Sequence, residues 1–243
     1  GVNKVIFVIK EEMRSQFEET IGKRINKIIP VAYVYQRLSA TPIPVKIKRT
    51  RPWGTGQALL SSEPEVEENF MVINADDFYG RDAFLKLGDF LKKSNKDQYA
   101  MVGYLLKNTL SDNGTVSRGV VELNKDNTLK KITEYTKIKR IGDQIIDQET
   151  NQELGQEKIV SLNLFGFSKE IFPFATTYFK TFLETEKNLE EKEFYLPSIV
   201  DNLIEKEKKQ VSVLFTTSTF HGMTYQMDLQ ELKEYIRKQI DLG

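Results

Sequence analysis

The stretch Phe70-Met71-Val72-Ile73-Asn74-Ala75-Asp76-Asp77 places two carboxylates directly after an apolar run. The run from Phe70 to Asn74 is typical of a buried strand. In open α/β sheets, ligands bind at the carboxyl ends of such strands. The stretch therefore predicts a central strand with a ligand site at its end.

A strand-helix-strand unit is predicted on the N-terminal side of this stretch. Val5 to Ile9 is apolar on both faces, a pattern typical of a parallel strand covered on both sides by helices. Val31 to Gln36 forms the second strand. Between them, apolar residues recur at every fourth position and indicate an amphipathic helix, at Met13, Phe17, Ile21 and Ile25.

The alternation of strands and helices continues on the C-terminal side. A tight turn at Gly54 opens a short helix. Further helices are predicted at Asp82 to Leu91, Phe179 to Leu189, Leu196 to Glu205 and Leu229 to Ile240. Further strands are predicted at Tyr99 to Leu106, Val160 to Phe167 and Val211 to Leu214. The pattern indicates an α/β fold with a mixed, mainly parallel central sheet flanked by helices.

Two stretches after Asn108 depart from that alternation. Gly119 to Leu123 and Leu129 to Thr136 flank a turn at Asn124 to Asn127, which predicts an antiparallel hairpin. Ile141 to Gly155 is polar and rich in turn residues. We interpret this second stretch as a mobile excursion.

The composition limits the classes of function. The chain has 243 residues, 35 basic and 35 acidic side chains and no cysteine. Because the charges cancel, no global field attracts nucleic acid or an anionic membrane. The cysteine count excludes disulfides, thiolate zinc sites and cysteine nucleophiles, and the single histidine, His221, excludes multi-histidine metal sites. We expect one domain over residues 1–243, located in the cytoplasm, and leave homo-oligomerisation open.

Several ordered motifs extend over nearly the whole chain. They are Tyr35-Gln36, Trp53-Gly54-Thr55-Gly56-Gln57-Ala58, Asn74-Ala75-Asp76-Asp77-Phe78-Tyr79-Gly80, Arg118-Gly119-Val120-Val121, Thr133-Glu134, Asn163 to Phe167, and Glu193-Phe194-Tyr195. In order and spacing they resemble the sugar-phosphate nucleotidyltransferases. That resemblance implies a glycosyltransferase-A-like nucleotidyltransferase fold with an antiparallel insertion that carries the sugar side of the cleft.

The resemblance implies a Mg²⁺ site at the end of the central strand. In such enzymes a strand-end aspartate holds the magnesium ion that bridges the nucleotide phosphates and the sugar phosphate, and Asp76 matches that position as the candidate catalytic residue. A hard oxygen ligand with Mg²⁺ offsets the repulsion between anionic oxygens. The alternative is that Asp76 and Asp77 cap the following helix.

The resemblance places the nucleotide base at Gln36 and at the loop Gly54, Thr55, Gly56 and Gln57. In the family, main-chain groups of this loop read the base, and Gln36 supplies its side-chain amide to the same base. Glycine lets the backbone approach a ligand closely. The alternative is a simple tight turn before a helix.

The resemblance matches the sugar phosphate to Gly119, Glu134 and Asn163, through a main-chain amide, a carboxylate on ring hydroxyls and a side-chain amide. Glu193 and Tyr195 resemble a further sugar-side pair. Each has an alternative, as a hairpin glycine, a solvated strand carboxylate, a turn asparagine or the start of a surface helix. As a set they predict a hexose-like acceptor.

Three features depart from the family's pattern. Tyr135 follows Glu134 where family members often have a phosphate-binding lysine, and Lys137 is the nearest replacement. The second metal ligand aligns with Tyr225, a poor magnesium ligand, and Asp228 is our replacement candidate. The family's glycine-rich triphosphate loop has no counterpart, so we expect an N-terminal strand and loop of roughly 50 residues to be missing and this chain alone to be impaired.

These residues predict an enzyme that uses Mg²⁺ to join a sugar 1-phosphate to a nucleoside triphosphate, giving an NDP-sugar and pyrophosphate. Two other interpretations stay open. A glycosyltransferase of the same fold would also bind a nucleotide-sugar beside a strand-end carboxylate. A non-catalytic module would bind a nucleotide or a sugar phosphate without turning it over.

Overall fold

The computed structural model describes residues 1–223 and 225–241, and these divide into two compact units. Unit 1 consists of Gly1–Phe70, Ser94–Gln98 and Phe167–Lys209. Unit 2 consists of Met71–Lys93, Tyr99–Gly166 and the described residues from Gln210 onward. Each of these units is assembled from three separate segments of the chain. The expectation of one domain stays a prediction.

Unit 1 contains the predicted strand-helix-strand segment. β1 (Val5–Ile9) and β2 (Val31–Tyr35) pair in parallel, as the sequence predicts. The chain between them makes consecutive helical turns, a 3-10 turn (Glu11–Met13), α1 (Arg14–Phe17), a π turn (Glu18–Gly22) and α2 (Lys23–Ile25). The ring of Phe17 lies 4.9 Å from Phe7 and 6.3 Å from Tyr33, so these aromatic rings join the turns to both strands.

β1 is less enclosed than its sequence indicates. Only Ile9 is buried, and Val5 to Val8 are partly exposed. The prediction that both faces are covered is therefore wrong. An apolar run does not by itself show double coverage, because much of any protein surface is apolar.

The helices of unit 1 pack around an aromatic core. They are α3 (Thr55–Ser61), a 3-10 turn (Glu63–Glu65), α5 (Ile171–Thr185) and α6 (Leu196–Glu205). The ring of Phe179 lies 5.8 Å from Trp53 and 5.1 Å from Phe194. The predicted bounds of α6 are confirmed, but α5 begins at Ile171 rather than Phe179. Pro173 is tolerated there because a residue in the first helical turn needs no amide hydrogen.

Unit 2 contains the large sheet. Its strands are β3 (Phe70–Val72), β5 (Tyr99–Leu105), β6 (Val116–Leu123), β7 (Leu129–Ile141), β8 (Gln144–Asp147), β9 (Gln152–Leu154), β10 (Ile159–Phe167) and β11 (Val211–Phe215). Their order is β11-β5-β10-β6-β7-β8-β9, and β3 also pairs with β10. The sheet is mixed, as predicted.

The prediction that the sheet is mainly parallel is corrected. β11 and β5 are parallel, while the pairs β5-β10, β10-β6, β6-β7, β7-β8 and β8-β9 are antiparallel. The connections from β6 to β9 are short turns, and a short turn can join only antiparallel neighbours. The predicted hairpin is confirmed, and it belongs to the large sheet.

The prediction of a mobile excursion from Ile141 to Gly155 is wrong. β8 and β9 occupy this stretch, and Ile145 and Leu154, which are paired across the two strands, are both buried. Asp147 is also buried and accepts hydrogen bonds from the amide and hydroxyl of Thr150 at 3.0 and 2.6 Å. The turn residues that made the stretch resemble a loop form a tight connection between two short strands.

Two helices and a second small sheet complete unit 2. α4 (Arg81–Lys93) buries Ala83, Leu87 and Leu91, and α7 (Asp228–Asp241) closes the described chain. β4 (Asp77–Phe78) pairs with β12 (His221–Gly222). In the part of the chain that the structure describes, no helix is both long and apolar enough to span a membrane.

Candidate functional site

The two neighbouring aspartates after β3 have different surroundings. Asp77 is half-buried, and its Oδ2 accepts a hydrogen bond of 2.8 Å from the side-chain amide of Asn74. Asp76 is exposed and makes no hydrogen bond or salt bridge within residues 1–223 and 225–241. Of the two carboxylates, Asp76 has its oxygens open to a ligand.

The alternative that these aspartates cap α4 has no support in the hydrogen bonds. α4 begins at Arg81, and within the described chain neither carboxylate accepts a bond from an amide of that helix. Asp77 instead lies in β4, opposite Gly222 of β12.

A buried tyrosine supports the backbone around Asp76. The Tyr79 hydroxyl donates to the Leu162 carbonyl at 2.9 Å and accepts from the backbone amide of Asn74 at 3.0 Å. The Tyr104 hydroxyl in turn donates to the Tyr79 carbonyl at 2.8 Å. Burial raises the pKa of both phenols, so both stay protonated donors. Sequence reasoning did not assign this role to Tyr79.

Arg118 is a buried cation near three carboxylates of unit 2. Its guanidinium donates to the carbonyls of Thr109 and Ser117, at 3.1 Å from Nε and 2.6 Å from Nη1. Burial lowers its pKa to about 10, and the charges of Asp77, Glu134 and Asp228 act in the opposite direction. The sequence motif contained Arg118 without a role, although a charged residue between apolar strand positions was a signal.

The half-buried carboxyl of Asp77 is affected by both of its charged neighbours. Burial raises its pKa, and the charge of Asp76 raises it further. The hydrogen bond from Asn74 and the charge of Arg118 lower it. Asp77 is therefore held by the protein on one side, whereas the Asp76 carboxylate is exposed.

Gly119 lies between two strands that carry polar groups. It pairs with Glu134 of β7 and with Ser161 of β10. A Cβ atom at this position would lie 2.6 Å from Ile132 Cγ2 and 3.3 Å from Glu134 Oε2. Ile132 and the Glu134 carboxyl therefore already fill the space beside this glycine, and a residue with a Cβ would have to displace them. Ser161 Oγ is buried and has no hydrogen-bond partner among the described residues.

Glu134 is exposed, but protein atoms crowd around its carboxyl. The resulting loss of hydration raises its pKa, and the charge of Arg118 acts in the opposite direction. Since solvent still reaches the side chain, screening limits this effect. The Glu134 carboxyl is thus partly desolvated by the protein and still accessible to solvent.

The other two candidates on these strands differ in their backbone. Asn163 has a φ of 60° inside β10, where the register with β5 shifts between Ser161 and Phe165. Such a conformation is uncommon for a residue with a side chain, and it turns Asn163 out of the regular strand pattern. Lys137 is exposed and, in the described part of the chain, makes no side-chain hydrogen bond or salt bridge.

Asp228 has a structural role at the start of α7. It is buried, and its Oδ1 accepts from Ser111 Oγ at 2.8 Å and Asn113 Nδ2 at 2.9 Å. Its Oδ2 accepts from the Tyr225 amide at 2.7 Å. Both oxygens are therefore engaged, and a metal ion would have to share them. No group of three His, Cys, Asp or Glu side chains suited to a metal ion occurs among the described residues.

In unit 1, the predicted base-binding residues form a tightly bonded loop. The Gln36 Nε2 donates to the Gly54 carbonyl at 2.9 Å, and the Gly56 amide donates to the Phe194 carbonyl at 2.8 Å. Thr55 Oγ1 accepts from the Leu196 amide at 2.9 Å. These bonds fix the loop, and they occupy the Gly56 amide and one donor of the Gln36 side chain.

Gln57 points into the protein rather than toward the surface. It is buried, and its Nε2 donates to the carbonyls of Arg37 and Ala40 at 2.9 and 3.2 Å. Its Oε1 is buried without a partner among the described residues.

The segment Glu193-Phe194-Tyr195 contacts the same loop. A Cβ atom on Gly54 would lie 3.0 Å from Glu193 Cβ and 2.6 Å from the Phe194 carbonyl oxygen. Tyr195 is exposed. The structure thus brings together two motifs of unit 1 that the sequence assigns to opposite ligands, Glu193 and Tyr195 to the sugar and Gly54 to the base.

A pocket of about 300 Å³, including its open mouth, lies beside β12 in unit 2. Arg118, His221, Asp228 and Glu231 contribute polar groups to its wall. His221 Nε2 is buried without a partner among the described residues, and its ring lies 4.7 Å from the ring of Tyr235.

We expect His221 to titrate below its ordinary pKa of 6.5, because partial burial disfavours the charged ring more than Glu231 and Asp228 favour it. Below the ordinary pKa the unfolded chain then takes up a proton that the folded chain resists, so stability falls as the pH is lowered. The single histidine gives one imidazole NMR signal to follow. His221→Gln should lose less stability than the wild type between pH 7 and pH 5.5, and a midpoint at or above 6.5 would contradict this account.

The model of the family described as "Nucleotidyl transferase" matches residues 1–240. The chain belongs to this family. This nucleotidyl transferase is similar in fold to the inositol-1-phosphate CTP transferase from T. maritima, with a TM-score of 0.62 and 15% identity over 98% of this chain and 77% of that chain. It is also similar to a protein from Bacillus anthracis described as a glucose-1-phosphate thymidylyltransferase, solved with sucrose. That likeness has a TM-score of 0.56 and 12% identity over 93% of this chain and 73% of that chain. A comparison with curated proteins gave no match.

Proposed function

We propose that this nucleotidyl transferase joins a sugar 1-phosphate to a nucleoside triphosphate. The observation that carries the proposal is the exposed, unengaged carboxylate of Asp76 beside the hydrogen-bonded Asp77, in a chain that matches the family over residues 1–240. The structural neighbours support the same class of reaction, because both are named for transfer of a nucleotide to a cyclitol or sugar phosphate.

In this reaction an oxygen of the sugar 1-phosphate attacks the α-phosphorus of the triphosphate. The new bond is an oxygen-phosphorus bond, and the bond from the α-phosphorus to the bridging oxygen breaks, so that pyrophosphate leaves with that electron pair. The products are an NDP-sugar and pyrophosphate. Both reactants are anions, so holding them in line and neutralising their charge is the main task of the protein.

Magnesium fits the residues at the end of β3. Mg²⁺ is usually held in proteins by one or two carboxylates together with substrate phosphates and water, and Asp76 offers a carboxylate with both oxygens open. When bound, the ion would neutralise phosphate charge. Asp228 is the second candidate ligand, with the reservation that its oxygens already accept three hydrogen bonds.

The remaining candidates are proposed to bind the two substrates. Gln36 and the loop at Gly54 would hold the base, and Glu134 with the neighbouring Gly119 would hold the sugar. The positive charge of Arg118 would favour the ionised form of Glu134, against the burial that disfavours it. We retain Asn163, Lys137, Glu193 and Tyr195 as candidate sugar-phosphate residues.

A pair of substitutions tests this assignment. Gln36→Ala should weaken nucleotide binding about tenfold while sugar 1-phosphate binding changes little. Glu134→Ala should do the reverse. Each substitution removes roughly one hydrogen bond to its ligand, an amide bond for Gln36 and a charge-assisted bond for Glu134. Isothermal titration of each variant with each ligand separately measures both effects. Gln16→Ala and Glu190→Ala are matched controls on exposed positions.

Equal losses for both ligands in either variant would overturn the assignment. The reaction itself is tested by pyrophosphate release from mixtures of one triphosphate and one sugar 1-phosphate. Transfer of sugar from an NDP-sugar to an acceptor, without pyrophosphate release, would favour a glycosyltransferase. Binding with neither reaction would favour a non-catalytic module.

A further inference from the structure

A long stretch of unit 1 carries charge of one sign. From Thr20 to Ser62 the chain has eight lysines and arginines and no aspartate or glutamate, although the whole sequence has 35 side chains of each sign. The cancellation over the whole chain therefore conceals a local basic region, and the loop at Gly54 lies inside it.

Residues 41–52 form an excursion whose two ends are fastened together. Gln57 Nε2 donates to the carbonyls of Arg37 and Ala40, and Trp53 Nε1 donates to the Leu38 carbonyl at 2.9 Å. The chain therefore leaves and returns at one place, between Gln36 and Gly54. We call residues 41–52 the basic excursion.

Exposure alternates along the basic excursion. Ile43, Val45 and Ile47 are partly buried, while Lys46 and Lys48 are exposed. This period of two is that of an extended chain with one apolar side and one solvent side. The two lysines therefore share the solvent side.

Arg49 takes the inward position and anchors the excursion. It is 8% exposed and donates to the carbonyls of Leu189, Lys192 and Pro52 at 2.5, 2.8 and 2.6 Å. Its guanidinium carbon lies 4.4 Å from the centre of the Trp53 ring. Arg49 is thus a structural cation, and it holds the excursion against the segment that contacts Gly54.

Three cations of the excursion remain open to solvent. Lys46, Lys48 and Arg51 are exposed, and within the described residues they form no salt bridge and no side-chain hydrogen bond. Arg37 differs, because it pairs with Glu11 at 2.8 Å. An extended chain spans at most about 3.5 Å per residue, so Arg51 lies within roughly 11 Å of Gly54 and Lys48 within roughly 21 Å.

We propose that Lys46, Lys48 and Arg51 bind the phosphate groups of the nucleoside triphosphate whose base lies against Gly54. This inference rests on the proposed function. Ammonium and guanidinium groups on long, flexible side chains are suited to phosphate oxygens, and here no carboxylate of the same stretch competes for them. The three residues neutralise phosphate charge from the unit that holds the base.

The test compares ligands that share a base and differ in phosphate. The wild type is first titrated with UTP, CTP, dTTP, ATP and GTP to find which base it binds. The nucleoside, the monophosphate and the triphosphate of that base are then compared. The variant Lys46→Gln, Lys48→Gln, Arg51→Gln should bind the triphosphate about ten- to thirtyfold more weakly, the effect of three exposed charge pairs, with the nucleoside unchanged. Its affinity should also depend less on salt.

The variant Lys93→Gln, Lys125→Gln, Lys158→Gln removes the same charge from exposed positions of unit 2 and should bind like the wild type. If the wild type binds no triphosphate, the proposed function fails. If the wild type binds and the excursion variant binds equally well, or loses nucleoside and triphosphate alike, this inference is overturned while the function stands. Tighter binding of a short RNA than of the triphosphate, through the same three residues, would also overturn it.

Discussion

Asp76→Asn is expected to lower the rate of pyrophosphate release by about two orders of magnitude or more, equivalent to about 3 kcal/mol, the scale found when one major electrostatic group is removed from an active site. The substitution keeps the size of the side chain and removes its charge. Asp76 is exposed and makes no bond within the described residues, so its loss should leave the fold intact. The measurement requires a wild-type rate more than a hundredfold above background pyrophosphate release, so that the loss can be resolved.

Binding of a metal ion gives a second measurement that does not depend on turnover. Mn²⁺ prefers the same oxygen ligands as Mg²⁺ and is detected by electron paramagnetic resonance. Asp76→Asn should weaken Mn²⁺ binding in the presence of triphosphate at least tenfold. Asp77→Asn is the control, because Asp77 already accepts a hydrogen bond from Asn74 and its burial disfavours the charged form. Similar losses in both variants, or none in Asp76→Asn, would remove Asp76 from the site.

Gly54→Ala is expected to destabilise the protein by about 2 to 5 kcal/mol, from a strained backbone and an overfilled contact. Gly54 has a φ of 104°, and an added Cβ would lie 2.6 Å from the Phe194 carbonyl oxygen. That carbonyl accepts from the Gly56 amide, so the strain falls on the loop itself. The melting temperature should fall by roughly 4 to 20 °C, and nucleotide binding should weaken with it.

Gly142→Ala is a reference substitution at a glycine of positive φ that has no such contact. Gly142 has a φ of 59°, and a Cβ atom there would have no neighbour within 4 Å. It should therefore lose only the backbone cost, about 1 to 2 kcal/mol. Differential scanning calorimetry of both variants gives the comparison. If Gly54→Ala is no less stable than Gly142→Ala, then the contact with Phe194 is not a constraint on the loop.

Much of the fold could be predicted from patterns within single segments. The strand at Val5 and the turn at Asn124 are confirmed. The spacing of four around Phe17 predicted helical structure correctly, but the helix is interrupted by a π turn and leaves Met13 and Ile21 exposed. Whether neighbouring strands are parallel or antiparallel was harder to predict, because β10 and β11 pair with strands that are far away in the sequence. The pattern of Ile145 and Leu154 was too short to distinguish two small strands from a loop.

The candidate site was predictable as a set of positions but not as a set of bonds. The sequence singled out Asp76, and only the structure shows that Asn74 engages Asp77 instead. The inward course of Gln57 and the three hydrogen bonds on Asp228 depend on backbone groups that no motif encodes. Arg118 was visible in the sequence, but its burial against Thr109 was not.

The division of each unit into three segments has a consequence for biosynthesis. A chain emerges from the ribosome in order, and domains generally fold as their segments become available. The strands from β6 to β9 are neighbours in sequence and can pair soon after they emerge. The first 70 residues must wait for Phe167–Lys209 before unit 1 is complete. During that interval the first 70 residues lack the rest of unit 1. This part of the chain should therefore depend most on chaperones.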